Sequence, residues 1–487
     1  MPSNPKFPHL SILLVIIAAA VSGPVLNTHP SIVSVAWADD GGGDGGDGGD
    51  GDGGDGGDGG DDGRDDRDDG DDRDDDDGDD RDDDDNDDRS ESSSSRNSPA
   101  AQVDRFLRNI ERRLFGQNRQ RRAPAQAAPQ PTRDVQASDE IAVLDLDAAD
   151  LTVLEAEGYS VIATIDLDSL AREVTRLEVP EGIALAAARD RVRALASGQT
   201  ADFNHFYRTE QQAFTPEPVA LPACEHENCR AWMGIGWPQG SRALGSCSVT
   251  VPIGMIDTGI NTTHEIIAGA DLDVIGIADE ALAPSKAIHG TAVASVLVGA
   301  EQSRVPGLIR EARIVAIDAF GRDGSDERAD LLSILRGLDL LAARDVRVIN
   351  LSLAGPDNRL LRDTVNTLIT DNGITIVAAA GNAGPGAKPA FPAGYDNVIA
   401  VTAVDIGTRI YRRAQRGQHL DIAAPGVNLL AATSIRGARL KTGTSFAVPY
   451  VTATAAVLLS VDPTRTPQDV ANWLAANARD LGAEGPD

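Results

Sequence analysis

The chain has 487 residues, enough for more than one domain, and a formal net charge of −32. Residues 39–96 alone hold 29 acidic and 6 basic side chains, a local charge of −23, which leaves an ordinary −9 for the remainder. The acidity therefore describes a tail and not the partners of the folded part. No basic face with interleaved aromatic residues is present, so the sequence does not predict nucleic-acid binding.

The first 38 residues have the pattern of an export signal. Residues 10–21 are an apolar run too short to indicate a membrane span and typical of a signal-peptide core. Ala36-Trp37-Ala38 has the form of a cleavage site. Lys6 is the only lysine or arginine before the run, which leaves an uncleaved membrane anchor open as the alternative. Both interpretations predict an extracellular, periplasmic or cell-envelope protein.

Residues 39–98 are almost entirely Gly, Asp, Arg and Ser, and we expect them to be a disordered acidic tail. Known calcium-binding repeats need regularly placed apolar residues, which this tail lacks, so a solvating spacer is the favoured interpretation. Residues 99–137 combine a short amphipathic helix at 103–114 with a Pro/Ala/Gln-rich linker. That helix is either solvated or docked on a partner or an anionic surface.

Residues 138–210 alternate between strand and helix patterns in the order β-α-β-β-α-β, which is typical of a ferredoxin-like α+β domain. The predicted strands are 141–146, 159–165, 173–179 and 202–207, and the predicted helices are 147–157 and 183–195.

Residues 211–247 begin with a proline-bearing segment and end with the only three cysteines, Cys224, Cys229 and Cys247. In an exported protein two of them are expected to form a disulfide, most simply Cys224 with Cys229. Too few other ligands lie nearby for a zinc site.

From residue 248 to 487, apolar strand patterns alternate with helix patterns. Continuous apolar strands are buried on both faces, which predicts an α/β fold with a parallel sheet flanked by helices on both sides. Such sheets place their sites beyond the carboxyl ends of the strands. The predicted strands are 249–256, 274–277, 314–319, 346–353, 374–380 and 398–404, and the predicted helices are 290–298, 326–343, 359–371 and 446–459.

Four motifs in this region carry chemistry. Ser445 lies in the run GTSFAVP just before an apolar helix, where free N–H groups and the helix dipole favour negative charge on an oxygen. A serine nucleophile needs a base and an orienting carboxylate. His289 opens another apolar helix, Asp257 ends an apolar strand, and Asn382 ends a second strand.

The order Asp, His, Asn, Ser, each in its own motif, resembles the subtilisin-like serine proteases (subtilases) over about residues 248–476. The resemblance implies an endopeptidase acting on protein or peptide substrates with no cofactor needed for the chemistry. Ser445 would attack the peptide carbonyl, His289 would take its proton, and Asp257 would orient the imidazole. The Asn382 side chain and the Ser445 N–H would form the oxyanion hole.

The resemblance also assigns two stretches to the pocket for the side chain that precedes the cleaved bond. They are Ser352, Leu353, Ala354 and Gly355 on one edge, and Ala379, Ala380 and Gly381 on the other. Because these walls are small and apolar, we expect a preference for a medium or large apolar side chain. The extra methyl of Ala354, where the family has glycine, is expected either to narrow the pocket or to tilt the substrate strand.

By its position, the domain at 138–210 resembles the inhibitory pro-domains that precede many subtilases. The resemblance implies a folding aid and intramolecular inhibitor whose last strand lies in the cleft, with autoprocessing in residues 211–222. Two residues depart from the family pattern: Phe446 replaces the usual methionine, and Tyr450 replaces a common histidine.

Structural calcium is common to such proteins, but its site cannot be assigned from this sequence. Asp271, Asp273 and Asp279 are candidates by residue type alone, with surface carboxylates as the default interpretation.

Three other functions would each need a different feature of the sequence. An aspartic protease would need a second Asp-Thr-Gly or Asp-Ser-Gly after an apolar strand, and the chain has none. A catalytically silent subtilase-fold binding or scaffold protein would keep the fold without activity. A cation-binding surface protein would give the acidic tail the main role.

Overall fold

The computed structural model describes residues 11–12, 133–209, 226–238, 249–279 and 281–481. The acidic tail, the predicted helix at 103–114 and most of residues 211–247 lie outside them, as does the predicted signal run except for two residues. Those two, Ser11–Ile12, form strand β1, which pairs with residues 422–423 and 479–480.

Residues 133–209 fold in the predicted β-α-β-β-α-β order. The elements are β2 (Gln136–Leu144), α1 (Ala148–Ala156), β3 (Ser160–Leu167), β4 (Arg172–Glu178), α2 (Leu185–Arg193) and β5 (Asp202–Thr209). The strands form an antiparallel sheet in the order β3-β4-β2-β5, which is the ferredoxin-like arrangement.

The second half of β2 is buried on both faces of this sheet. Successive side chains of a strand point to opposite faces. Ile141 and Val143 pack into the domain's own core with the helices, whereas Ala142 and Leu144 pack into a core shared with the larger domain. The N-terminal domain is thus seated with its open sheet face on its neighbour.

The larger domain contains the following elements in chain order. The strands are β6 (Ile253–Asp257), β7 (Leu272–Gly276), β8 (Ala283–Pro284), β9 (Ile314–Asp318), β10 (Gly321–Asp323), β11 (Asp326–Asp330), β12 (Val348–Leu351), β13 (Leu353–Ala354), β14 (Thr375–Ala379), β15 (Ile399–Val404), β16 (Ile422–Pro425), β17 (Leu429–Ala432), β18 (Ala438–Lys441) and β19 (Arg479–Asp480). The helices are α3 (Cys229–Gly234), α4 (Ile288–Val298), α5 (Leu331–Ala342), α6 (Arg359–Thr370), α7 (Val448–Val461) and α8 (Pro467–Asn477).

Its main sheet runs β16-β15-β14-β12-β6-β9-β7, with every neighbouring pair in this series parallel. Helices α4, α7 and α8 pack on one face and α5 and α6 on the other, in two separate apolar cores. The predicted parallel sheet with helices on both sides is therefore confirmed. The stretch Thr444–Val461 is apolar enough to cross a membrane, but 89% of it is buried, as expected of a core helix.

One predicted element is wrong in part. The sequence predicts a helix over 326–343, but Asp326–Asp330 is strand β11 and the helix begins at Leu331. Asp330 ends the strand and caps the helix, because its side chain accepts a hydrogen bond from the Ser333 N–H at 2.9 Å. Strands β16, β17 and β18 have no counterpart among the predicted elements.

Strand β5 joins the two domains. It pairs with β2 on one side and antiparallel with β11 on the other, through Ala329 opposite Tyr207 and Asp330 opposite Phe206. Its C-terminal end also pairs antiparallel with β13. The last strand of the N-terminal domain therefore lies across the edge of the larger domain where the carboxyl ends of β6, β12 and β14 meet.

Candidate active site

Asp257 and His289 form a buried pair. Asp257 is the last residue of β6, and His289 is the second residue of α4; both side chains are almost fully buried. The His289 Nδ1 lies 2.7 and 2.9 Å from the two carboxylate oxygens of Asp257. A carboxylate at this position holds the ring proton on Nδ1 and leaves Nε2 as the acceptor nitrogen. Within the part of the chain described, Nε2 has no hydrogen-bond partner.

Gly290 explains how α4 approaches so closely. A Cβ at this position would lie 2.1 Å from the Thr258 carbonyl oxygen, so no larger residue fits. The Gly290 N–H donates to the Thr258 Oγ1 at 2.8 Å. Thr258, which follows Asp257, therefore fixes the position of the start of α4, the helix that carries His289. Ala287, which precedes the helix, adopts the left-handed region with φ of 52°.

Ser445 lies in a 3-10 turn, Thr444–Phe446, immediately before α7, and Pro449 occupies the first turn of that helix as the sequence predicts. The Ser445 Oγ donates to the Ser352 carbonyl at 3.0 Å, and the Ser352 Oγ donates to the Ser445 carbonyl at 2.9 Å. The next residue, Phe446, places its ring 5.5 Å from the ring of His289. The Ser445 turn is therefore beside the histidine, with its hydroxyl directed to Ser352 in this structure.

Asn382 is also buried beside this turn. Its Oδ1 accepts the Thr444 N–H at 3.1 Å, and the Thr444 Oγ1 accepts the Gly381 N–H at 3.1 Å. Because the carbonyl end of the amide faces Thr444, the NH2 group is the opposite, donor end of the side chain. Gly381 has a φ of +102°, which favours glycine. The structure thus brings together all four residues that the motifs predict.

The two stretches that the resemblance assigns to the pocket edges lie at the carboxyl ends of strands β12 and β14. Ser352 follows β12 and accepts a hydrogen bond from the Asn350 Nδ2 at 2.9 Å. Leu353–Ala354 forms β13, and Gly355 pairs with Phe391 through two backbone hydrogen bonds of 2.9 and 3.0 Å. On the second edge, Ala379 and Ala380 are fully buried at the end of β14.

Sequence reasoning missed a polar residue behind the second edge. The Gln415 side chain packs against Gly381: a Cβ added to Gly381 would lie 2.8 Å from the Gln415 Nε2. The Gln415 Oε1 accepts the Ala390 N–H at 3.1 Å. Gln415 is buried, so an amide stands next to a wall that the sequence describes as purely apolar. No local motif marks this residue, since it comes from a distant loop.

A second acid, Asp318, is the other omission. It ends β9 and lies opposite Asp257 in the sheet register. Ser285 links Asp318 to the segment that follows Asp257. The Ser285 Oγ donates to Asp318 at 3.4 Å and accepts the Gly259 N–H at 2.8 Å. Burial raises the pKa of Asp318 to about 6, and the nearby negative charge of Asp257 acts in the same direction. The signal in the sequence is a second apolar strand that ends in Asp.

The calcium candidates do not form a site. Among the described residues, no group of three or more His, Cys, Asp or Glu side chains is arranged to hold a metal ion. Asp273 instead lies 3.9 Å from both Arg313 and Arg344, and Asp279 accepts the Ala281 N–H at 2.8 Å. These contacts are those of surface carboxylates, and calcium binding by any of the three candidates stays a prediction.

Cys229 begins α3 and is disulfide-bonded. Both other cysteines, Cys224 and Cys247, lie outside the described residues. The pairing of Cys229 with Cys224 stays a prediction.

The geometry defines an α/β protein with a buried Asp–His pair beside a serine at a helix N-terminus, which is the constellation of a serine hydrolase. Comparison with known proteins identifies the family. The model of the subtilase family of peptidases matches residues 249–487. Subtilisin DY from Bacillus licheniformis is 32% identical over 250 residues, which cover 50% of this chain and 88% of that protein. The chain belongs to the subtilase family and is a subtilisin-like serine endopeptidase.

Two further relatives differ in how far they align. An alkaline protease from Alkalihalobacillus alcalophilus is 27% identical over 376 residues, 77% of this chain and 87% of that protein. The minor extracellular protease Epr of Bacillus subtilis (strain 168) is 30% identical over 240 residues, so the match spans only 36% of that relative.

Among solved structures, fervidolysin from Fervidobacterium pennivorans, described as a keratinolytic enzyme related to subtilisin, has a TM-score of 0.56 and 20% identity. The likeness covers 69% of this chain and 57% of that one, and it shows the fold alone.

Proposed function

We propose that the chain is an exported serine endopeptidase, made as a zymogen that processes itself, with Ser445 as nucleophile, His289 as general base and Asp257 as the orienting carboxylate. The observation that carries this proposal is the contact of the His289 Nδ1 with both oxygens of the buried Asp257. That contact leaves Nε2 as a proton acceptor beside the Ser445 turn.

In the first step, the Ser445 hydroxyl turns from the Ser352 carbonyl toward the His289 Nε2. The Nε2 takes the proton as Oγ bonds to the substrate carbonyl carbon, and the resulting imidazolium is stabilised by Asp257. The imidazolium then gives the proton to the leaving amine when the peptide C–N bond breaks. Water then attacks the acyl carbon while the His289 Nε2 takes its proton. The same proton passes to the Ser445 Oγ as the ester bond breaks, which releases the acid and restores Ser445.

The negative charge that develops on the carbonyl oxygen needs donors that are already in place. The Asn382 NH2 group and the Ser445 N–H fill this role. Thr444 positions both, because its N–H holds the Asn382 Oδ1 and it precedes Ser445 in the turn. Such a preorganised pair contributes more in a buried site than in water.

The N-terminal domain supports the zymogen part of the proposal. Its Asp202 carboxylate accepts the Arg359 N–H at the start of α6 at 3.0 Å, and its Asn204 Oδ1 accepts the Leu331 N–H at the start of α5 at 3.2 Å. Free N–H groups at helix N-termini bind such oxygens favourably. Two helices of the larger domain are therefore capped by the N-terminal domain.

Strand β5 continues this contact into the cleft. Thr209 lies opposite Leu353, and Arg208 lies opposite Ala354, on the edge that we assign to substrate. The Tyr207 ring packs directly on Gly355, where a Cβ would lie 2.3 Å from it. A strand held in this manner blocks the site, which is how a pro-domain inhibits.

The relatives support two further parts of the proposal. The alignment with the alkaline protease is longer than residues 249–487, so the similarity extends upstream of the family domain. One relative, the minor extracellular protease Epr, is named as extracellular, which agrees with the signal-like N-terminus. We assign the acidic tail the role of a solvating spacer, and we treat the silent scaffold protein as the second candidate.

Labelling by a fluorophosphonate probe, mapped by mass spectrometry, tests the chemistry. We expect the label on Ser445 of the full chain after processing, with complete loss in Ser445→Ala and a fall of about 10⁴-fold in labelling rate in His289→Ala. Thr452→Ser, a buried change outside the reacting groups, serves as the control for folding. Folded protein without label, even after proteolytic removal of the N-terminal domain, would instead establish the scaffold function.

A further inference from the structure

The contact between Arg208 and Asp326 is the most specific one that β5 makes in the cleft. The Arg208 Nε donates to the Asp326 Oδ1 at 2.9 Å, and the Nη2 donates to Oδ2 at 2.7 Å. Both side chains are about one-sixth exposed. Two parallel hydrogen bonds of this kind recognise a guanidinium by geometry as well as by charge.

The register fixes where this contact lies relative to the chemistry. Thr209 is opposite Leu353 and Arg208 is opposite Ala354. A bound strand continued by one residue would therefore lie opposite Ser352, whose carbonyl accepts the Ser445 hydroxyl at 3.0 Å. The residue opposite Ala354 is thus third from the peptide bond that is presented to the nucleophile.

The surroundings of Asp326 favour a cation at that position. The segment 321–330 holds four carboxylates and two arginines. One of these arginines, Arg328, donates to Asp326 through Nη1 and to Asp323 through Nη2, at 3.0 Å each. Its guanidinium carbon lies 4.1 Å from the centre of the Phe206 ring. Asp326 still receives a second guanidinium from Arg208, so Arg328 does not exhaust its acceptor capacity.

We propose that Asp326 is a specificity-determining residue that selects substrates carrying arginine or lysine at the third residue before the cleaved bond. This inference rests on the proposed function, because it treats β5 as the occupant of the substrate cleft. The substrate class that it names is a polypeptide with a basic side chain opposite Ala354, whatever residue occupies the pocket next to the bond.

Internally quenched peptides copying residues 205–214 test this directly, with Glu210→Leu in all of them to suit the apolar pocket and only the position of Arg208 varied. With enzyme generated from the full chain, we expect kcat/KM for the arginine peptide to exceed that for the glutamate peptide roughly tenfold. Asp326→Asn should bring this ratio to within about twofold of one. Asp323→Asn is the matched control, since Asp323 contacts Arg328 but not Arg208, and it should keep the tenfold preference.

A ratio near one in the wild type, or an unchanged ratio in Asp326→Asn, would overturn the inference and leave the Arg208 contact as a link between domains only. Fluorophosphonate labelling of every variant separates this result from a failure of the proposed function: a labelled enzyme without preference is still a serine peptidase. The charge exchange Arg208→Asp with Asp326→Arg should restore self-processing that Arg208→Asp alone slows.

Discussion

The two domains hold their functional groups in opposite ways. In the larger domain, strands β6, β12 and β14 are buried on both faces, and the residues at their ends are fixed by the apolar cores on the two sides of the sheet. The N-terminal domain has a small core of its own and engages its neighbour partly through polar contacts such as those of Asp202 and Arg208. Under the proposed function, this difference means that the larger domain keeps its site after processing, whereas the strand that occupies the site is removed.

The largest effect on activity is expected from a substitution in the larger domain, at Asn382. Asn382→Ala removes one donor for the developing oxyanion, so we expect kcat to fall about 10²- to 10³-fold while KM changes little. Steady-state kinetics on a peptide substrate measure this, and Asn372→Ala, at an exposed asparagine just after α6, is the comparison variant. A loss confined to KM would show that Asn382 binds the ground state only.

A smaller effect is expected on the stability of the larger domain, through Asp318. Asp318 has a pKa of about 6 in the folded chain against an ordinary 3.8, so its ionisation costs stability as pH rises from 3.8 to about 6. Asp318→Asn removes that cost, and we expect a gain of about 1–2 kcal/mol at pH 8 after allowance for solvent screening. The gain should vanish at pH 3.5.

Urea unfolding of the catalytically silent Ser445→Ala background at pH 3.5, 6 and 8 checks this prediction. Asp318→Asn and the parent should have midpoints that separate only as pH rises. Equal separation at every pH would mean that the substitution acts through packing and not through the charge.

The smallest effect is expected on how tightly the N-terminal domain binds to the larger domain. Asp202→Ala removes one cap from α6, and we expect the N-terminal domain to bind about 1 kcal/mol more weakly, so that inhibition is relieved about fivefold sooner after processing. Asp190→Ala is the matched control, because Asp190 is exposed and, among the described residues, bonds to Arg189 of its own domain and to nothing in the larger domain. Continuous assay of the full chain during self-processing follows both variants, and identical lag times would contradict the docking role.

Much of the larger domain could be predicted because its determinants are local. Apolar runs that end in Asp257 or Asn382 signal buried parallel strands with polar residues at their carboxyl ends. Strand β11 could not be predicted, since its polar sequence becomes a strand only by pairing with β5 and β10. The same holds for Gln415 and Asp318, whose surroundings are created by residues distant in sequence. The direction of the Ser445 hydroxyl likewise depends on Ser352, which lies 93 residues away.

The most direct test of the central claim, that this serine peptidase cleaves the strand its own N-terminal domain places in the cleft, is to sequence the N-terminus of the product. A chain continued past Thr209 in the observed register would present the bond after Glu210 to Ser445. The pocket is expected to prefer an apolar side chain, so cleavage here would depend on the high effective concentration of a strand already held in the cleft. We expect a processed enzyme that begins at Gln211, and a Ser445→Ala chain that keeps its N-terminal domain attached. Cleavage that persists in Ser445→Ala, or that starts the enzyme well upstream of β5, would contradict it.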